Sequence, residues 1–127
     1  MAMSDKSSNS SLGGIGESIA VTYLRGQGFK IVECNFRSVC GEIDIIARDG
    51  RELVFVEVKC RKNYNYGVPQ LAVTQFKQRQ ISKAALVWLS KKKLFDAEAR
   101  FDVVAIVLRE HELPVIEHIR NAFELAY

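Results

Sequence analysis

Apolar side chains recur at helical spacing from about Leu12 to Gln27, where Ile15, Ile19, Ala20, Tyr23 and Leu24 make one face. Gly28 suits the left-handed residue that ends such a helix. The period then changes. Phe29 to Arg37 (FKIVECNFR) alternates imperfectly, as expected of a first strand, and Ser38 to Gly41 turns into two further strands, Glu42–Arg48 and Glu52–Cys60. Asp49-Gly50 joins those two, and an Asp-Gly between β-branched runs is the strongest short-range hairpin signal, because glycine takes positive φ without strain. The second strand is apolar on both faces, with Leu53 and Phe55 on one and Val54, Val56 and Val58 on the other. Such a run belongs inside a sheet covered on both sides. Pro69 to about Lys91 reads as the longest helix, its core side supplied by Val73, Phe76, Ala84, Ala85, Val87, Trp88 and Leu89. Arg100–Leu108 is another nearly continuous apolar strand, and Pro114–Ile119 reads as an edge strand. The pattern therefore predicts an α/β fold, a central mixed sheet flanked by helices in the order αβββαββ.

The hairpin carries charges where its pattern calls for apolar residues. Pairing Arg48 with Arg51 across a two-residue turn puts Asp44 opposite Phe55 and Glu42 opposite Glu57. Asp44 and Glu57 become diagonal neighbours on one face, their Cβ atoms roughly 7–8 Å apart. Lys59 shares that face, since side chains two apart along a strand point the same way. Three carboxylates, Glu42, Asp44 and Glu57, are thus expected to converge beside one ammonium. Like charges so placed repel unless a cation or a proton stands between them. A hard divalent cation such as Mg2+ is the natural occupant, because it takes oxygen ligands and keeps waters for a phosphate-bearing substrate. The ordinary alternative is a cross-strand ion network with no further role.

Size and composition narrow the setting. The 127 residues suffice for one domain, read as residues 12–127 after a polar, disordered leader over residues 1–11. Apolar residues make up 48% and charged residues 26%, which excludes an intrinsically disordered chain. A net charge of +3 permits nucleic-acid binding without demanding it. Cys34, Cys40 and Cys60 form no C-x-x-C, and Cys34 and Cys40 read as small buried hydrophobes. The two histidines, His111 and His118, read as surface residues, so neither a zinc site nor a disulfide framework is expected and a reducing cytoplasm fits. No segment approaches a membrane-spanning length. The loop after Lys59 carries Arg61, Lys62, Tyr64 and Tyr66. Basic residues among aromatics can hold phosphates and stack on unpaired bases, and they can equally be a solvated loop. Asp102 is the odd residue of its strand, with Arg100 or a helix as its expected partner, outside the site.

Asp44, followed thirteen residues on by Glu57-Val58-Lys59 at the end of a hydrophobic strand, resembles the PD-(D/E)XK nuclease signature. The segments GESIAVTYLRGQGF, GEIDIIARDG, LVFVEVKCR, GVPQLAVTQFKQRQ and RFDVVAIV extend the resemblance from about Gly14 to Val107. They look most like the small bacterial YraN-type family, related to Holliday-junction-resolvase-like nucleases. Ile43 stands where the signature often has proline. The resemblance implies a restriction-endonuclease-like core and Mg2+ or Mn2+ held by Asp44 and Glu57, with Glu17 and the Val58 carbonyl assisting. It implies that Lys59 orients the attacking water or stabilises the transition state, with Glu42 as an outer partner of the site. Glu17 can instead be an ordinary carboxylate near a helix N-terminus. By the same likeness Gln75, Lys77 and Arg79 are candidate phosphate contacts, the alternative being the wet face of a helix. The implied activity is DNA phosphodiester hydrolysis on branched or damaged substrates, and two-fold substrates would favour a homodimer. The competing functions are a nucleic-acid-binding module that does not cut and a protein-interaction subunit.

Overall fold

Helix α1 (Leu12–Gly26) stops where glycine allows it. Gln27 donates to the carbonyls of Tyr23 and Leu24, Phe29 donates back to Leu24, and Gly28 between them takes φ 92°. The computed structural model describes residues 12–62 and 73–126. Strands β1 (Lys30–Ser38), β2 (Gly41–Asp49) and β3 (Glu52–Arg61) follow α1, then helix α2 (Gln75–Lys92) and strands β4 (Ala99–Val107) and β5 (Val115–Phe123). The five strands lie side by side in chain order. All neighbours are antiparallel except β3 and β4, which run parallel and are connected through α2. The element order is the expected αβββαββ, in an α/β fold with a mixed sheet. Neither described helix is long and apolar enough to cross a membrane.

The helices cover opposite faces. Ile81, Ala84, Ala85 and Trp88 of α2 pack on Phe36, Ile43, Ile46, Leu53, Phe55, Phe101 and Val103. Ala20 and Leu24 of α1 pack on Ile45, Ala47, Val54, Val56, Val104 and Ile106. Leu53, Val54, Phe55 and Val56 are all buried, so β3 is the central strand its two-sided apolar pattern requires. Trp88 anchors α2 through an edge-on contact with Phe55, and its Nε1 donates to Glu33 Oε1 at 2.9 Å.

Local chemistry corrects five expectations. The hairpin register is Ile45 with Val56 through Asp49 with Glu52, so the two-residue turn is Gly50-Arg51 and not Asp49-Gly50. Gly50 (φ 64°) is the only residue of that turn with positive φ, the type II′ pattern with glycine in first position. Arg100 bonds both flanking carboxylates, Glu52 Oε1 at 2.8 Å and Asp49 Oδ2 at 3.0 Å, which favours keeping them as the last pair. The shift is by two residues, so the new register preserves the parity of the pairing. Helix α2 begins at Gln75, later than expected, because the Thr74 hydroxyl caps it by accepting from the Lys77 N–H. The expected start at Pro69 lies outside the described residues. Phe76 is exposed, about 140° around the helix from buried Ile81. Cys34 is exposed as well, at a strand edge beside α1. The C-terminal lysines of α2 also have partners within the fold: Lys91 lies over Phe36, Lys92 over Trp88, and Lys93 closes the helix in a left-handed cap.

The fifth correction concerns His118. Its side chain is 4% exposed and belongs to a buried cluster between α1 and the paired strands β4 and β5. Asp102 is fully buried there. It accepts from Arg100 at Oδ1 (2.9 Å) and Oδ2 (3.2 Å), from the Asn121 N–H at 2.9 Å, and lies 2.7 Å from His118 Nε2. Tyr23 Oη completes the chain 3.2 Å from His118 Nδ1. Asn121 reaches Asp102 because β5 carries extra residues between Ile119 and Phe123, with Asn121 itself at φ 52°. Burial pushes the Asp102 carboxyl towards the neutral form, but His118, Arg100 and the Asn121 N–H outweigh it and hold its pKa below the ordinary value. Asp102 is thus outside the candidate site, as its pairing with Arg100 suggested.

Candidate active site

Glu57 and Lys59 follow Leu53 and Phe55 on the side of β3 that faces α2, beyond Val56, where the β2–β3 pairing ends. The strands part there, and a side chain replaces the missing backbone acceptor. Asp44 Oδ2 accepts from the Val58 N–H at 2.8 Å. This brings the Asp44 carboxyl against that of Glu57. Glu57 is 5% exposed, and its Oε2 lies 3.5 Å from Lys59 Nζ and 3.7 Å from Lys77 Nζ. Two half-exposed ammoniums at these distances do not repay burial of the charge. Burial, then the proximity of Asp44, raises the Glu57 pKa from 4.5 to about 7, against the pull of Lys77 and Lys59. Asp44 is raised too, by burial first, with the Val58 N–H, a hydrogen bond shared with Glu57, Lys77 and Lys59 opposing. The protonation of each acid therefore depends on that of the other.

Glu17 stands across a groove. It shares the lining of an open cavity of about 940 Å3 with Asp44, Asn35, Arg37 and Glu42. A neighbouring cavity of about 290 Å3 has Glu17, Asp44, Val58, Lys59 and Arg61 in its walls. A third, of about 190 Å3, is lined by Asp44, Glu57, Lys77, Gln80 and Glu42. Asp44 borders all three. Burial raises the Glu17 pKa and Asp44 adds to the rise, while a hydrogen bond from the Asn35 side chain opposes it.

The expected convergence of three carboxylates on one strand face is replaced by a tight pair. Glu42 pairs across the strands with Arg37, at 3.7 Å, and its side chain is 59% exposed at the rim. Among the described residues no three His, Cys, Asp or Glu side chains are gathered closely enough to hold a metal ion. Asp44, Glu57, Val58, Lys59 and Lys77 are brought together, and Glu17 and Arg61 face the same depressions. Gln75 and Lys62 lie exposed nearby, Arg79 is half-buried on α2, and Tyr64 lies outside the described residues. Two residues escaped the sequence reading. Asn35 left a trace, the broken alternation of its strand, whereas Gln80 left none beyond lying one helical turn after Lys77.

Close approaches shape the site. A Cβ on Gly16 would stand 2.6 Å from the Cys60 Cβ, so glycine lets α1 lie against β3 next to Lys59. A Cβ on Gly41 would stand 2.9 Å from the Gln80 carbonyl oxygen, so α2 meets the start of β2 equally closely.

Residues 16–106 match the family model described as Uncharacterised protein family UPF0102. The chain belongs to this family. The matched span takes in Glu17, Asn35, Asp44, Glu57, Lys59 and Lys77. Similar family members include the UPF0102 protein of Geotalea daltonii, 68% identical over 96% of both chains. That of Geobacter metallireducens is 64% identical, covering 94% of this chain and 97% of its own. The Rhodococcus opacus protein is 47% identical over 91% of this chain and 98% of its own. The family relationship therefore spans nearly the whole chain and includes the candidate site.

Proposed function

We propose that this UPF0102 member is a Mg2+- or Mn2+-dependent endonuclease of the restriction-endonuclease-like fold, cutting DNA, with branched or damaged DNA as its substrate class, in the cytoplasm. The observation that carries the reading is the Asp44–Glu57 pair. Two acids with raised proton affinity, at the open end of a buried strand and beside two lysines, are a poor way to stabilise a sheet and a good way to bind a cation. Element order, the mixed sheet and the Glu57-Val58-Lys59 motif agree with that fold.

Asp44 and Glu57 would hold the ion, with Glu17 and the Val58 carbonyl as further oxygen donors. The donor set is all oxygen, as a hard cation requires. When bound, the ion would polarise the phosphate and acidify water. Lys59 would place its ammonium beside the phosphate, where negative charge grows in the transition state. Lys77, released from Glu57 once a cation neutralises that carboxylate, would be free to contact a phosphate oxygen. Arg61, Lys62, Gln75 and Arg79 would supply outer phosphate contacts, and a homodimer would suit a two-fold substrate.

One observation favours a second reading, a module that binds nucleic acid without cutting it: Glu17 stands apart from the acid pair across the groove. A DNA panel of duplex, single strand, flap and four-way junction, with Mg2+ or Mn2+, separates the two. Cutting that Glu57→Gln and Asp44→Asn both abolish supports the nuclease. Salt-sensitive binding with no cutting supports the module, and neither would point to a protein partner.

A further inference from the structure

We infer that Asn35 is the positioning residue of the carboxylate site: its left-handed backbone re-aims the facing Asp44, and its amide holds Glu17 on the opposite wall of the groove. The inference rests on the metal-site reading above. Strands β1 and β2 pair Cys34 with Ile45 and Phe36 with Ile43, which leaves Asn35 and Asp44 between them. Residues two apart in a regular strand share a face. Here they do not. Ile43 packs with α2 and Ile45 with α1. On β1, Phe36 packs with α2, whereas Cys34 lines the groove beside α1. Both strands change phase at the same cross-strand position.

The source of the change is Asn35, the only non-glycine residue of either strand with positive φ, at 56°. Asparagine is the non-glycine residue that enters this region most readily. An irregularity of this kind bends a strand and redirects a side chain. Counted from Ile46, Asp44 belongs to the α2 face; counted from Ile43, it belongs to the α1 face. It serves both, bordering the α2-side depression with Glu57 and Lys77 and the α1-side groove with Glu17. The Asn35 side chain lines that same groove with Glu17 and favours the ionised form of its carboxyl. One residue thus bears on both Asp44, which adjoins Glu57, and Glu17 across the groove.

Calorimetric titration of the full chain with Mn2+ tests this, using wild type, Asn35→Gly, Asn35→Ala, Glu17→Gln and the Glu17→Gln/Asn35→Gly pair. Glycine accepts the left-handed backbone and removes only the amide. Asn35→Gly should keep the wild-type unfolding midpoint and bind Mn2+ at least about tenfold more weakly, the usual effect of removing the hydrogen-bond partner of a ligating group. In the Glu17→Gln background the same change should cost nothing more, because the amide acts through Glu17. Asn35→Ala, which also opposes the backbone conformation, should lose affinity and melt lower. Wild-type affinity in Asn35→Gly, or additive losses in the double variant, would overturn the assignment while leaving the metal site standing. Absence of Mn2+ binding by the wild-type chain would overturn both.

Discussion

Glu57→Gln keeps the shape of the side chain and deletes the charge that β3 buries. The wild-type pKa of about 7, against 4.5 for an ordinary glutamate, means that the folded chain binds this proton more tightly than the unfolded chain does. Below pH 4.5 both states are protonated and the group's stabilising contribution is fully present. As pH rises the unfolded chain releases the proton first, and the contribution is lost through pH 7. At about 1.4 kcal/mol for each tenfold difference in proton affinity, the loss amounts to about 3 kcal/mol. With the carboxylate 5% exposed, little of that is screened by solvent. Glutamine does not titrate. In chelator and without divalent cations, the two proteins should therefore be equally stable at pH 4.5, and the variant should exceed wild type by about 3 kcal/mol at pH 8.5. Urea unfolding followed by Trp88 fluorescence measures this, since the chain's one tryptophan is buried against Phe55 on the same strand. Added Mn2+ should restore wild-type stability at pH 8.5 and leave the variant unchanged. Parallel stability curves for the two proteins across this range would refute the argument that Glu57 is a buried, under-compensated acid.

Four other expectations follow from the same geometry. Asp44→Asn removes the neighbour that helps raise Glu57, so the midpoint of the Glu57 titration, followed by carbon-detected NMR, should move to lower pH; an upward move would contradict the pairing. Wild-type Mn2+ affinity should increase as pH rises through about 7, because the ion must displace the proton, and calorimetry in two buffers of different ionisation enthalpy should register that proton's release. Gly16→Ala forces a methyl to 2.6 Å from the Cys60 Cβ and should cost about 1–3 kcal/mol in urea unfolding; wild-type stability would show that α1 can move off β3 freely. Asp102→Ala strands His118, Arg100 and the Asn121 N–H at a buried site and should cost about 3–5 kcal/mol at pH 7. Because the Asp102 pKa is lowered on folding, its contribution is present above the unfolded value of 3.8 and lost as pH falls through the folded one, the reverse of the Glu57 profile.

The fold was legible wherever one physical effect dominated. Two-sided apolar runs marked β3 and β4 as central, because nothing but burial on both faces accounts for them. The face shared by Asp44, Glu57 and Lys59 survived a wrong register, since a slip of two residues preserves parity. What the pattern concealed was set by contacts distant in sequence. The turn register depends on Arg100, some fifty residues beyond Asp49, bonding both flanking acids. The burial of His118 depends on Tyr23 and Asp102, supplied by α1 and β4. Glu42 was assigned to the acid cluster from alternation alone, and alternation fails between Ile43 and Ile45 because of Asn35 on the adjoining strand. Phe76 counted as core through its hydrophobicity, yet its angle around α2 takes it away from the buried face.

The sheet also contains its own control for the assignment of the site. Each face buries acids on or beside its central strands, and the two faces treat them oppositely. On the α1 side Asp102 receives a two-nitrogen contact from Arg100, a backbone N–H and an imidazole, and its pKa falls despite complete burial. One step along the strands and through the sheet, Asp44 and Glu57 share one backbone N–H and two lysines standing 3.5 and 3.7 Å from a single oxygen, and both pKa values rise. A fold able to neutralise one buried acid so thoroughly leaves the other pair short of positive charge. An added arginine within reach would have made the pair a second structural lock. The deficit, open to solvent through three adjoining depressions around Asp44, is what a divalent cation would make good.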